Sequence, residues 1–228
     1  MTEQQTLAGA SHTYHKKYKR IGVSRSRGEL RTDILDAVRK VLRNGSYDTL
    51  SMEDIAATAS TTRRTLYNLF LDKDDIYRNS CERLLKEVAE AVTDEIPENM
   101  KPNDGMRFFI SSCLEIYSTG AAADLMLTMV RDGSQHPWLV QGYHRDIHDR
   151  LVRACENYVL KQCRHAPLAP GAPRYIGEQL VGSVKLLTTG PLIFGQKSPS
   201  PPHTNARVEI LAVAYASLMS SHVIGKSR

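Results

Sequence analysis

The 228-residue sequence predicts an all-α protein: a small three-helix, helix-turn-helix unit near the N-terminus followed by a larger helical region. Three observations predict this. Apolar residues recur at three- and four-residue spacing along most of the chain, hydroxyl and carboxylate caps stand at the expected helix starts, and no alternating run long enough for a strand occurs.

The first helix is expected from about Gly28 to Asn44, where Leu30, Ile34, Leu35, Val38, Val41 and Leu42 form one face. Asn44-Gly45 then supplies a stop with a left-handed cap. Ser51 opens a second helix: its hydroxyl can bond the amide of Asp54, while Glu53 and Asp54 suit the positive end of the helix dipole. Ile55, Ala56 and Ala59 give it a narrow face for close packing. Thr61 or Thr62 can cap a third helix running to about Leu69. Three short helices in so little chain, the second and third a few residues apart, make a helix-turn-helix.

Asp72 caps a fourth, long helix whose apolar positions Ile76, Leu84, Leu85, Val88, Val92 and Ile96 carry it to Pro97. Beyond it, helices are expected from Asp104 through Tyr117, over Ala123–Val130, and from Pro137 through Val159. After the loop "HAPLAPGAP", two more run over Pro173–Gly190 and Thr204–Val223. The organisation expected is a basic arm over 1–27, a helix-turn-helix domain over 28–78 and a ligand-binding and dimerisation domain over 79–228.

An apolar fraction of 41% and a charged fraction of 24% are ordinary for a globular protein that folds in water. No apolar run approaches the roughly 20 residues of a membrane span. Cys81, Cys113, Cys155 and Cys163 are scattered without a CxxC pair, which argues against a disulfide framework and for a reduced, cytoplasmic setting. Charge is concentrated. Residues 1–31 hold seven Lys/Arg against Glu3 and Glu29, a local +5 that equals the formal net charge of the chain. A basic arm beside a compact unit suits a polyanion, because each cation set on a phosphate releases condensed counterions.

On a helical wheel, Leu66, Leu69 and Phe70 face Ile55, Ile34 and Val38, while Arg64 and Asn68 point the other way between Thr65 and Tyr67. Arg63 lies nearer the core but can reach outward from the first turn. Arginine bonds guanine bidentately and asparagine does the same with adenine; threonine and tyrosine suit phosphate oxygens or the thymine methyl. Lys73 sits among Asp72, Asp74 and Asp75 in a first turn, where the dipole favours acid, and is the cation best explained as a phosphate clamp.

The stretch "SMEDIAATASTTRRTLYNLFLDKDDI" resembles the helix-turn-helix of TetR-type transcriptional repressors. Ile55-Ala56, Ala59, Thr62, Thr65-Leu66-Tyr67, Phe70 and Lys73 carry the likeness, which extends over roughly residues 30–78. Ser60 stands where that family usually has glycine, and Thr61 where it favours valine. The resemblance implies a cytoplasmic homodimer that binds a pseudo-palindromic double-stranded DNA operator, represses transcription and is released by a small-molecule effector. By position it implies phosphate contacts from Ser51, Thr65, Tyr67 and Lys73, and base contacts from Thr62, Arg63, Arg64 and Asn68. Residues 100–195, including "MVRDGSQHPWLVQGYHR", are similar to the AefR-like branch of these regulators.

The last two expected helices fit a dimer interface, with Gly177, Gly182 and Ser183 near Val181, Val184 and Leu187, and a stripe of Leu211, Ala214, Leu218 and Met219. Phe109, Met126, Met129, Trp138 and Tyr143, with Phe108 nearby, are the apolar candidates for an effector pocket. His144 and His148 have the spacing of a two-His metal pair, but the sequence places no third ligand, so no metal or cofactor is assigned. There is no P-loop, GxGxxG, GxSxG or HExxH, hence no enzyme is expected. The alternative is a helical interaction adaptor or ligand-binding protein without sequence-specific DNA binding.

Overall fold

The computed structural model describes residues 25–164, 168–196 and 201–220. Among these lie ten α-helices, one π-helical turn and no strand. No described helix is long and apolar enough to cross a membrane. All but the last few residues of the basic arm, and with them the question of its contact with DNA, lie outside the described residues.

Helix α1 (Arg27–Leu42) starts at a complete capping box: Ser26 Oγ accepts from Glu29 N at 3.2 Å and Glu29 Oε2 accepts from Ser26 N at 2.8 Å. Its far end differs from expectation. Neither Asn44 nor Gly45 adopts a positive φ, and the helix unwinds through Asn44 N→Val41 O and Gly45 N→Leu42 O turns instead. Glycine is still required at 45, since a Cβ there would lie 2.6 Å from Thr49 Oγ1.

Helices α2 (Met52–Thr58) and α3 (Arg63–Tyr67) complete the head, with Ile34, Val38, Ile55 and Leu66 wholly buried in a shared core. Burying such a side chain is worth about 1.5–3 kcal/mol. Four of them dominate a unit this small.

Helix α4 (Lys73–Glu90) leaves the head and enters the larger domain. It stops well before Pro97, although Val92 and Ile96 are buried as their spacing suggested. The cause is Arg150, which lies far off in sequence. Its guanidinium donates to the carbonyl of Ala89 in the last turn at 2.9 Å and to that of Val92 just beyond it at 3.4 Å, and pairs with Asp94 at 2.7 Å, capping the helix end from outside.

The larger domain holds α5 (Pro102–Tyr117), α6 (Gly120–Asp132), α7 (Pro137–Tyr143), α8 (Asp149–Gln162), α9 (Ala172–Ile193) and α10 (Pro201–Ser220). Helices α9 and α10 both pack on α5, and α9 also packs along α8. The four cysteines are free and buried. Burial pushes the Cys81 and Cys155 thiols up to about 12, so these are inert core groups.

One long helix was expected after Pro137. The path runs on, but His144–His148 form a π-helical turn between α7 and α8. Leu139, Tyr143, Ile147 and Leu151 are all buried and recur every four residues. A straight α-helix of 3.6 residues per turn would carry that row progressively off the core, and a π turn absorbs the extra residue.

Candidate nucleic-acid interface

The turn between α2 and α3 is set by backbone bonding. Thr61 N donates to Ala56 O at 2.9 Å and Ser60 N to Ala57 O at 3.2 Å, the pair of bonds of a Schellman cap. Such a cap needs a left-handed residue, and Ser60 fills it at φ +50°, the one non-glycine with positive φ among the described residues. The departure from glycine noted in the sequence is thus a strained position, costing roughly 1–2 kcal/mol for a residue bearing a Cβ. Ser60→Gly is expected to raise the melting temperature of the head by a few degrees, a gain reduced by glycine's greater unfolded-state entropy. A lowered melting temperature would mean that the serine hydroxyl contributes more than the strain costs.

Thr62, rather than Thr61, is the N-cap of α3: its Oγ1 accepts from Thr65 N at 3.2 Å and lies 2.9 Å from Thr65 Oγ1. Ser51 caps α2 likewise, accepting from Asp54 N at 3.1 Å and donating to the Asp54 carboxylate at 2.6 Å. The hydroxyls of Ser51 and Thr62 therefore already hold helix starts, and that of Thr65 is engaged by Thr62.

The two arginines differ. Arg63 is exposed but paired with Glu53 of α2, which raises the guanidinium's pKa through a hydrogen bond and charge attraction. Arg64 is exposed, and its side chain makes no ion pair or hydrogen bond among the described residues. Tyr67, 55% exposed, and Asn68 stand with it on the outer side of the head.

Lys73 is half-buried, its ammonium 4.3 Å from the centre of the Tyr47 ring, a cation–π contact. Tyr47 in turn donates its hydroxyl to Asp74, and that bond, ahead of burial, pushes the phenol up to about 12. Tyr47 N donates to both oxygens of Asp132, at 3.2 Å each. Asp132 ends α6, is 3% exposed, and also accepts from the buried Tyr77 hydroxyl at 2.9 Å. His136 packs 4.5 Å from Tyr47 and 4.7 Å from Tyr77, ring centre to ring centre.

A second tie lies eight residues earlier on α6. Asp124, its side chain 11% exposed, accepts from Arg39 and Arg43 of α1, and Arg39 also reaches Glu87 of α4 at 3.1 Å. Helix α6 is thus buckled to the head at both ends by buried or nearly buried carboxylates. The sequence reading missed Asp124, Asp132, Tyr47, Arg39 and Arg43 altogether. An aspartate in the apolar run "DLMLTMVRD" was the available signal, since such a residue needs partners if it is buried.

The five residues assigned to an effector pocket differ in their surroundings. Phe109, Met126 and Tyr143 are buried in the core, with Tyr143 hydroxyl 2.9 Å from that of Tyr117. Met129 is half-buried. Trp138 belongs to the aromatic cluster of Tyr77 and His136 and carries Arg78 4.3 Å above its ring. A cleft of about 10 Å³, roughly the room of one water, lies between α1, α4 and α6 and is lined by Arg39, Leu84, Asp124 and Arg131; it touches none of the five.

Residues 34–79 match the family model described as bacterial regulatory proteins, tetR family. Over these residues the head is similar to the N-terminal unit of that family. A curated relative, the HTH-type transcriptional regulator AlkX of Mycobacterium tuberculosis (strain ATCC 25618 / H37Rv), is 26% identical over 131 residues, 57% of this chain. That match spans only 60% of the relative's own length. Among solved structures, a TetR family transcriptional regulator from Pseudomonas syringae pv. tomato str. DC3000 superposes with a TM-score of 0.65 at 18% identity, covering 82% of this chain and 95% of the other. The transcriptional regulator FadR from Bacillus subtilis, solved in complex with stearoyl-CoA, does so with a TM-score of 0.55 at 17% identity, covering 84% and 98%. At such identities these likenesses speak for the fold. The arrangement of an N-terminal helical head on a larger helical domain is shared with these two solved structures.

Proposed function

We propose that the chain is a TetR-type transcriptional repressor that binds a pseudo-palindromic operator as a homodimer and is released by a small-molecule effector in the larger domain. The observation that carries this reading is the exposed, unpaired Arg64 beside Tyr67 and Asn68, on a recognition helix whose own start is fully capped. Nothing among the described residues uses that guanidinium, and a major groove would. Arg64 and Asn68 are assigned to base edges, with Thr62 close by. Arg63 can join them only by giving up Glu53. Ser51, Thr65, Tyr67 and Lys73 are assigned to phosphates.

Dimerisation is assigned to α9 and α10. Leu186 is 67% exposed, Phe194 75% and Ile210 68%, and Val213 and Leu218 continue the α10 row. That much unpartnered apolar surface on two helices that both pack on α5 favours a partner with the same surface. The patch differs from the one read in the sequence. Val181, Val184 and Met219 are buried within the subunit, and Gly177 lies against α8, where a Cβ would meet Val152 O at 2.9 Å. Gly182, Ala214 and Leu218 face outward.

For release, the ties from α6 to the head supply the linkage. Asp132 holds the Tyr47 backbone, and Tyr47 carries Lys73 on its ring. An effector that binds better when α6 has shifted would move the phosphate clamp with it, by no more than its differential affinity for the two states. The stearoyl-CoA complex of FadR makes an extended apolar effector one natural class to screen. Phe109, Met126, Met129, Trp138 and Tyr143 remain the assigned contacts, and such a ligand would have to part the closed core around Phe109 and Tyr143. On "MVRDGSQHPWLVQGYHR", the segment holding Asp132 and Trp138, the larger domain is assigned to the AefR-like branch.

The test is fluorescence anisotropy on the protein's own promoter region over a salt series. Specific binding should be in the nanomolar range and resist excess competitor DNA. Affinity no tighter than for random DNA would favour the adaptor reading. In the same assay Lys73→Ala should weaken specific and random DNA alike and lower the salt slope by about one. An unchanged slope would remove Lys73 from the phosphate contacts.

A further inference from the structure

The π turn produces a juxtaposition that α-helical spacing would not. Asp149 N donates to His144 O, an i→i+5 bond. In that register residue 149 returns nearly above residue 144, whereas at 3.6 residues per turn it would point more than a third of a turn away. One ligand atom from each of His144, His148 and Asp149 consequently falls within 4.8 Å of the others. The third ligand absent from the sequence pattern is supplied by the backbone register.

Two further observations bear on this cluster. The imidazole rings of His144 and His148 meet edge to face, their centres 5.0 Å apart. His148 Nδ1 is enclosed and has no hydrogen-bond partner, an unsatisfied group that ordinarily costs stability. Neither ring is held by a carboxylate: Asp146, the neighbouring acid, is taken by Arg145 at 2.5 Å.

We propose that His144, His148 and Asp149 form a three-ligand site for a divalent transition metal of zinc, nickel or copper type. Two imidazoles and one carboxylate are the donors that such borderline cations select over magnesium or calcium, and three protein ligands leave a position open to water or an exogenous group. Bonds of about 2.1 Å with tetrahedral angles place ligand atoms about 3.4 Å apart, so the side chains must converge by up to about 1.4 Å. His144 is exposed and can rotate to do so. The charges facing the cluster from α9 are Glu178 and the half-buried Lys185, whose ammonium lies 5.6 Å from the Tyr143 ring centre. Glu178 is itself paired with Arg174 at 3.0 Å, so Asp149 is the carboxylate left to meet the cation.

The test is isothermal titration of the full, chelator-treated and tag-free chain with ZnCl2. One zinc per chain should bind in the micromolar range, and His144→Ala or Asp149→Asn should weaken it at least tenfold. His144→Ala removes an exposed side chain, so its fold should persist, which circular dichroism checks. Zinc should also raise the melting temperature of the parent protein and leave that of His144→Ala unchanged. No stoichiometric binding, or binding of equal strength in both variants, overturns the site; the latter outcome would put the metal on histidines elsewhere in the chain.

Discussion

Asp132→Ala is expected to destabilise the protein by about 3 kcal/mol, because it strands a buried donor and a part-buried one at once. Tyr47 N and the Tyr77 hydroxyl both end on this carboxylate, and Tyr77 is only 1% exposed, so water cannot replace the lost acceptor at that end. Bonds to a charged acceptor are also about twice as strong as neutral ones. For a chain of this size, about 3 kcal/mol corresponds to a fall in melting temperature of about 6–12 °C. Asp132→Asn keeps the shape and one acceptor oxygen, and should cost about half as much. The substitution has a second expected consequence. Freed from Asp132, Tyr47 no longer fixes the platform under Lys73, so DNA affinity should fall well below the melting transition, at a temperature where circular dichroism shows an intact fold. Thermal melts with anisotropy on the same samples decide it. An unchanged melting temperature would mean the carboxylate is dispensable to the fold; normal DNA binding by a destabilised variant would separate stability from coupling.

Arg64→Ala is expected to weaken operator binding by about 1–3 kcal/mol, about 5- to 150-fold, with little change in melting temperature. The side chain is exposed and without a partner among the described residues, so its removal strands nothing inside the protein. The loss should be confined to one base pair in each half-site: operators altered there should bind parent and variant almost equally. A loss of equal size on every DNA sequence would identify Arg64 as a phosphate contact. Arg63→Ala provides the internal comparison. Because Arg63 must leave Glu53 before it can touch DNA, its removal should cost less than that of Arg64.

The head was legible in the sequence because its determinants are local. Ser51, Thr62 and Asp72 cap helices through amides three residues away, and all three do so. Ile34, Val38, Ile55 and Leu66 lie on faces fixed by the helical period and are wholly buried. Even the serine at position 60, read as a departure from glycine, falls on a backbone position that needs one. The exposure of Arg64 follows from the same arithmetic. The assignment of these side chains to particular phosphates and bases remains a proposal that the DNA measurements above address.

Elsewhere long-range contacts that no period encodes decide the outcome. The end of α4 is decided by Arg150, some sixty residues on, whose guanidinium takes the carbonyls that a continuing helix would have used. The burial of Val181 and Val184, read as interface, is decided by how α9 settles on α5 and α8. The π turn comes from an apolar row spaced at four, too wide for an α-helix to keep on one side, and it brings Asp149 to His144. By itself, then, the sequence determined the all-helical class, the helix-turn-helix and the outward face of its recognition helix, through caps and spacings that act within a turn or two. Only the tertiary structure decided that α6 grips the head through Asp124 and Asp132, and which residues of α9 and α10 remain exposed. A buried carboxylate can be satisfied only by donors the fold brings to it, and here they come from 55 to 85 residues away.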